Sequence, residues 1–134
     1  MQTIYIYLTT LPVIVVFDLC WVAGVARNYY KSQFGSLLLN APVWWAIIIW
    51  YLLYAAGLVY FVIVPAIGSH SIMRAALGGA FFGLVAYGTY DLINIGLTAG
   101  WPVAVSLLDM AWGAFLGAAA STLTYLIATS VFGL

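Results

Sequence analysis

Three acidic residues, Asp18, Asp91 and Asp109, are the residues of this chain most able to do chemistry, and each lies inside a long apolar stretch. A carboxyl group at the centre of a membrane helix costs roughly 2.5–3.5 kcal/mol, and such groups commonly mark sites for protons, ions or polar ligands. The Lys and Arg residues lie at the ends of the apolar stretches instead. Because no basic side chain shares their depth, the carboxyls are expected to be partly protonated, hydrated or neutralised by a bound cation.

The aspartates are predicted to share one layer. Each lies seven to nine residues from the end of its stretch that adjoins either segment 27–41 or turn 98–102. At about 1.5 Å per residue, all three reach roughly 10–13 Å below that end. Side chains of these three spans and of the second span, 43–67, are predicted to complete an acidic, aromatic-walled chamber there: Trp21, Trp50, Tyr51, Tyr54, Tyr87, Tyr90, Asn94 and Trp112.

Two roles for these carboxyls follow from their chemistry, and the sequence leaves both open. In the functional interpretation they form one coupled site for a proton, a cation or a polar head group. Three carboxylates with Asn94 would suit a hard cation such as Mg²⁺ or Ca²⁺ by ligand type, although no metal is assigned. In the structural interpretation they are hydrogen-bonded groups that fix helix packing.

The composition defines the elements that must position these groups. Of 134 residues, 67% are hydrophobic and only 4% are charged, whereas soluble domains carry about a quarter charged residues. There is no basic run, so nucleic acid is not an expected partner. Spans are predicted at about 3–26, 43–67, 75–97 and 103–129, each long enough to cross a bilayer. The chain is therefore predicted to be a single transmembrane domain, residues 1–134, folded as an antiparallel four-helix bundle.

Segment 27–41 is the longest connection between predicted spans. Tyr30, Phe34, Leu37 and Leu38 recur there at helical spacing, which predicts a short helix lying in the membrane interface. The two basic residues of this loop favour a cytoplasmic position for it, with both termini on the other side. A multi-pass protein of a bacterial inner membrane is expected, and the one cysteine, Cys20, is expected to be a small buried side chain.

Glycines recur at four-residue spacing in the last two predicted spans. Gly79 and Gly83 form a small-xxx-small surface that continues into Tyr87 and Asp91, and Gly113 and Gly117 follow Asp109. Small residues let membrane helices approach closely. These four glycines are predicted to form the helix-packing face.

Several motifs resemble a family of small four-span bacterial membrane proteins, the domain-of-unknown-function family 2177. They are Tyr90-Asp91-Leu92-x-Asn94, Trp101-Pro102, Asp109-x-x-Trp112-Gly113 and Asp18-x-x-Trp21. The resemblance covers nearly the whole chain and implies a four-span fold without a settled activity. Position 93 departs from the family pattern, because it is isoleucine in this chain where the family pattern has threonine.

The leading functional hypothesis is a binding or permeation module for a proton, a cation or an amphiphile head group such as that of a lipid. The second is an accessory subunit of a larger membrane complex, photosynthetic or respiratory. The third is a membrane enzyme acting on lipids, although no catalytic residue is assigned and an enzyme is not favoured. The lipid bilayer is an expected partner, a homo-oligomer is a further option, and no cofactor is expected.

Overall fold

A computed structural model describes residues 1–35 and 42–134 of the chain. Over these residues the backbone forms α-helices, two π-helical segments and short turns. The α-helices are α1 (Gln2–Trp21), α2 (Arg27–Phe34), α3 (Trp44–Leu58), α4 (Val64–Gly68), α5 (Ile72–Leu97) and α6 (Val103–Ser130). The π-helical segments, Val22–Ala26 and Val59–Ile63, join α1 to α2 and α3 to α4.

Four helical runs are long and apolar enough to cross a membrane: Gln2–Gly24, Trp44–Gly68, Ile72–Leu97 and Val103–Ser130. This confirms the predicted all-α, multi-pass membrane fold. No more than 33% of the most apolar window of any run is buried inside the protein. The remaining apolar surface is therefore available to lipid, as expected where the solvent is a bilayer.

Helix α6 is the centre of the bundle, since it packs against α5, α1 and the segment Val59–Ile63. The closest packing is between α5 and α6. A Cβ atom added at Gly79 would collide with the carbonyl oxygen of Gly117, and one added at Gly83 would collide with that of Gly113. Because partner numbers fall along α6 as they rise along α5, the two helices are antiparallel, and the four glycines named from the sequence lie at their contact.

The two ends of the bundle differ in composition. At the terminal end, the rings of Tyr5 and Phe132 stack with their centroids 5.9 Å apart, which brings the two chain termini together. At the other end, here called the loop end, Phe34 of α2 packs edge-to-face on Trp101, just before α6, at 5.0 Å. The turn before α6 contains Gly100 at φ +71°, a conformation that glycine adopts without steric cost.

The connection after the first span continues the helix α1 and does not begin as a separate helix. Its backbone stays helical through the π-helical segment Val22–Ala26 into α2. Residues 36–41, which include Leu37 and Leu38 of the predicted interfacial helix, lie outside the described residues. The expectation for Cys20 was wrong, because its side chain is exposed on the outside of the bundle.

Candidate ligand-binding site

A cavity of about 230 Å³ opens near the loop end of the bundle. Its walls come from α2, from the end of α5 and from the start of α6. The side chains that line this loop-end cavity are Tyr30, Phe34, Tyr90, Asp91, Trp101, Val105 and Asp109. Four of these seven are aromatic and two are carboxylic acids, so the site combines aromatic walls with two acidic groups.

Asp91 forms the buried floor of the loop-end cavity. Only 2% of its surface is exposed, and its Oδ2 atom is buried without a hydrogen-bond partner. The carboxyl group of Asp109 and the hydroxyl of Ser106 lie beside it. A buried carboxyl oxygen with no donor is costly, because the free energy of its lost hydration is not recovered.

Asp109 is held by a contact between elements distant in sequence. The Tyr30 hydroxyl donates a hydrogen bond of 2.8 Å to Asp109 Oδ1. Burial, together with the neighbouring Asp109 carboxyl, raises the pKa of the Tyr30 phenol above its ordinary value. The phenol therefore stays protonated and remains a donor at neutral pH, which fixes α2 over the cavity.

Trp101 and Ser106 hold the wall nearest to the loop-end turn. The indole Nε1–H of Trp101 donates to the Ser106 hydroxyl at 2.7 Å, and Ser106 is fully buried. The Trp101 ring also packs edge-to-face with Tyr90 at 5.6 Å. These contacts join the turn to both α5 and α6 and orient the aromatic wall beside Asp91.

Asp18 does not line the loop-end cavity. It accepts hydrogen bonds from the hydroxyl of Tyr51 and, at 3.3 Å, from the indole Nε1–H of Trp112. A second aromatic group surrounds this carboxyl: the Trp50 ring lies 5.0 Å from Tyr54 and 5.8 Å from Tyr87. Asp18 is thus a partnered carboxyl, in contrast to Asp91.

A tryptophan pair lies between the two acidic regions. The indole rings of Trp21 and Trp112 stack at a centroid distance of 4.6 Å and an angle of 6°. Trp112 lies one helical turn after Asp109 and donates to Asp18, so it contacts one acidic region while adjoining the other. The Trp21 side chain lies beside the Tyr30 hydroxyl, so the stack contacts both Asp18 and the wall of the loop-end cavity.

Asn94 does not join either carboxyl region. Its amide group donates to the Tyr90 carbonyl at 2.9 Å, and its side-chain oxygen accepts from the Thr98 hydroxyl at 3.0 Å. Within residues 1–35 and 42–134, no group of three or more His, Cys, Asp or Glu side chains is placed to hold a metal ion. The structure thus brings together Asp91, Asp109 and Tyr90 of the proposed chamber, and gathers Trp50, Tyr51, Tyr54 and Tyr87 near Asp18 instead.

Four contributors to the cavity were not among the site residues named from sequence: Tyr30, Phe34, Trp101 and Val105. Ser106, beside Asp91, was also missed. A signal for Ser106 existed, because it precedes Asp109 by three residues and so shares a face of α6. Tyr30 and Phe34 were recognised only as apolar positions of a predicted interfacial helix. Their spacing does not predict which helices they contact.

The four apolar spanning helices with a loop-end cavity define the class: this is a multi-pass helical membrane protein. A family model described as "Predicted membrane protein (DUF2177)" matches residues 3–126, nearly the whole chain. The chain therefore belongs to this family, which confirms the family predicted from its motifs. No curated protein and no solved structure matches the chain.

Proposed function

We propose that this protein binds a positively charged ligand, either a proton, a cation or the head group of an amphiphile, in its loop-end cavity. The observation that carries the proposal is Asp91, a carboxyl 2% exposed whose Oδ2 has no partner and which lines a cavity open at one end of the bundle. None of the described side chains that line this cavity is basic.

Charge balance favours a positive occupant. Two carboxyl groups side by side in apolar surroundings cannot both be ionised cheaply, because like charges repel and both have lost hydration. A proton or cation between them relieves both costs. Since Tyr30 already donates to Asp109, the Asp91 carboxyl, which lines the cavity and has one oxygen without a donor, is the group whose charge such an occupant would neutralise.

Cation binding to the full chain in an uncharged maltoside detergent tests this proposal. Calorimetric titrations with Na⁺, Mg²⁺ and tetramethylammonium cover inorganic and organic cations, and infrared spectra recorded against pH cover the proton. We expect Asp91→Asn to weaken cation binding by about tenfold or more, or to remove a protonated-carboxyl band. Asp18→Asn is the matched control, since it removes the same charge outside the cavity.

The proposal fails if the parent protein binds none of these cations and shows no protonated carboxyl band that depends on Asp91 or Asp109. The alternative of an accessory subunit would then be tested by purification, where a partner at fixed stoichiometry supports it. The exposed apolar side chains of the spans do not favour that alternative, because a lipid bilayer accounts for them equally well.

A further inference from the structure

The aromatic side chains that line the loop-end cavity contact one another, and their arrangement bears on which positive ligand the cavity would bind. Phe34 and Trp101 pack edge-to-face at 5.0 Å, Trp101 and Tyr90 at 5.6 Å, and Tyr30 and Phe34 at 6.1 Å. The rings thus form a connected aromatic wall in a cavity that two carboxyl groups also line. An aromatic face attracts a cation within about 6 Å of its centroid, and such cages recognise alkylated ammonium groups.

We infer that the ligand of the loop-end cavity is an organic ammonium group, held by the Asp91 carboxyl and by the faces of Phe34, Trp101, Tyr90 and Tyr30. This inference rests on the proposed function and names its ligand class. An ammonium group carries its charge on a centre surrounded by C–H or N–H groups, so it can contact aromatic rings and a carboxylate at once. The cavity, at about 230 Å³, is far larger than the roughly 30 Å³ share of one water molecule.

A divalent metal ion fits these walls less well. Mg²⁺ requires six oxygen ligands in near-octahedral geometry, and Ca²⁺ takes six to eight. The lining supplies two carboxyls and two phenols, and the phenol of Tyr30 already donates to Asp109. The other lining side chains are Phe34, Val105 and Trp101, whose N–H donates to Ser106. Over the described part of the chain, no third acidic or histidine side chain completes a ligand set.

The position of the cavity allows two sources for the ammonium group. The cavity lies at the loop end, between the turn before α6 and the helix that follows the first span. A cavity that opens at this end of the spans can be reached from the membrane surface, where both a water-borne amine and the amine of a phospholipid head group are present. The recognised chemistry is the same in the two cases.

The test compares ammonium with metal cations on matched variants of the full chain in maltoside detergent. Tetramethylammonium is expected to bind the parent protein more tightly than Na⁺ at equal ionic strength, and Phe34→Leu is expected to weaken it by about three- to tenfold. Phe34→Tyr keeps an aromatic face and should restore binding. Phe81→Leu is the control, because Phe81 is 68% exposed and does not line the cavity.

Competition with bound tetramethylammonium distinguishes the two sources of the ammonium group. Displacement by phosphatidylethanolamine and not by phosphatidylglycerol supports a lipid head group, whereas displacement by methylammonium alone supports a free amine. Binding of tetramethylammonium no tighter than Na⁺, or equal in Phe34→Leu, overturns the ammonium assignment. If Na⁺ or Mg²⁺ binding then still depends on Asp91, the proposed function stands without the ammonium assignment. If no cation binds and no protonated carboxyl band depends on Asp91 or Asp109, both proposals are wrong.

Trp101→Leu gives a second measurement at the same wall. The substitution removes the ring between Phe34 and Tyr90 as well as the hydrogen bond to Ser106, so its folding is checked by circular dichroism. In folded protein we expect a loss of tetramethylammonium affinity at least as large as that of Phe34→Leu, with Na⁺ affinity unchanged. An equal loss for both ions would mean that the wall only supports the fold, and would overturn the assignment.

Discussion

Tyr30 and Asp109 lie 79 positions apart in the chain, yet the phenol of one donates a 2.8 Å hydrogen bond to the carboxylate of the other. This bond joins the helix after the first span to the central helix α6. Because Tyr30 and Asp109 both line the loop-end cavity, the bond also sets the distance between two of its walls. A contact in the connection between spans thus determines the shape of the site.

Loss of this hydroxyl should destabilise the protein modestly. We expect Tyr30→Phe to lower the free energy of unfolding by about 1 kcal/mol, since a partly buried hydrogen bond to the Asp109 carboxyl is replaced by an unpaired acceptor. Unfolding by sodium dodecyl sulfate, followed by circular dichroism, measures the change. Tyr60→Phe is the control because Tyr60 is 72% exposed, and equal stability of the two variants would contradict the role of the bond.

Two glycines of the same helix should respond in opposite directions to alanine. At Gly83 a Cβ would meet the backbone of Gly113, so Gly83→Ala is expected to cost roughly 1–3 kcal/mol of stability by forcing α5 and α6 apart. At Gly96 no atom lies within 4 Å of such a Cβ. Gly96→Ala should therefore be neutral or stabilising by up to about 1 kcal/mol, because alanine favours a helix.

The same unfolding titration ranks the two glycine variants against the parent protein. A Gly83→Ala variant as stable as Gly96→Ala would show that the helices separate at no cost. That result would show that the close contact between α5 and α6 does not contribute to the stability of the fold.

Asp18 and Asp91 should be separable in binding experiments, because only Asp91 lines the loop-end cavity. We expect Asp18→Asn to leave cation affinity within about twofold, since Asp18 does not line the cavity and both of its carboxyl oxygens already accept hydrogen bonds. Asp18→Asn should instead reduce stability, because the hydroxyl of Tyr51 and the indole of Trp112 each use one carboxyl oxygen, and asparagine offers only one acceptor oxygen. Equal loss of cation binding in Asp18→Asn and Asp91→Asn would show one coupled site, as the sequence had suggested.

The two chain termini are predicted to lie on one side of the membrane and α2 on the other. In a Cys20→Ala background, Gln2→Cys and Ser130→Cys should react with an impermeant maleimide from the same side, and Gln33→Cys from the opposite side. All three positions are exposed, so the reagent reaches them without unfolding. Labelling of Gln33→Cys from the same side as Gln2→Cys would contradict a membrane crossing by the first span, and labelling of Ser130→Cys from the opposite side would contradict an even number of spans.

The sequence by itself determined the class of the protein and its spanning helices. Continuous apolar stretches of about 20 residues predict spanning α-helices, because a backbone in lipid must satisfy its hydrogen bonds within each segment. The spacing of Gly79, Gly83, Gly113 and Gly117 also indicated a close helix contact, since a missing Cβ is visible in the sequence. The motifs around Asp91 and Asp109 identified the family.

Only the tertiary structure decided how the acidic and aromatic side chains divide. Depth along a helix follows from counting residues, and it placed all three aspartates in one layer. Rotation about each helix axis is set by packing against neighbours, and it directs Asp18 to Tyr51 and Trp112 while Asp91 faces the loop-end cavity. Tyr30 reaches Asp109 because the helical backbone continues past the first span, and no local pattern encodes which distant side chain a connecting helix will meet.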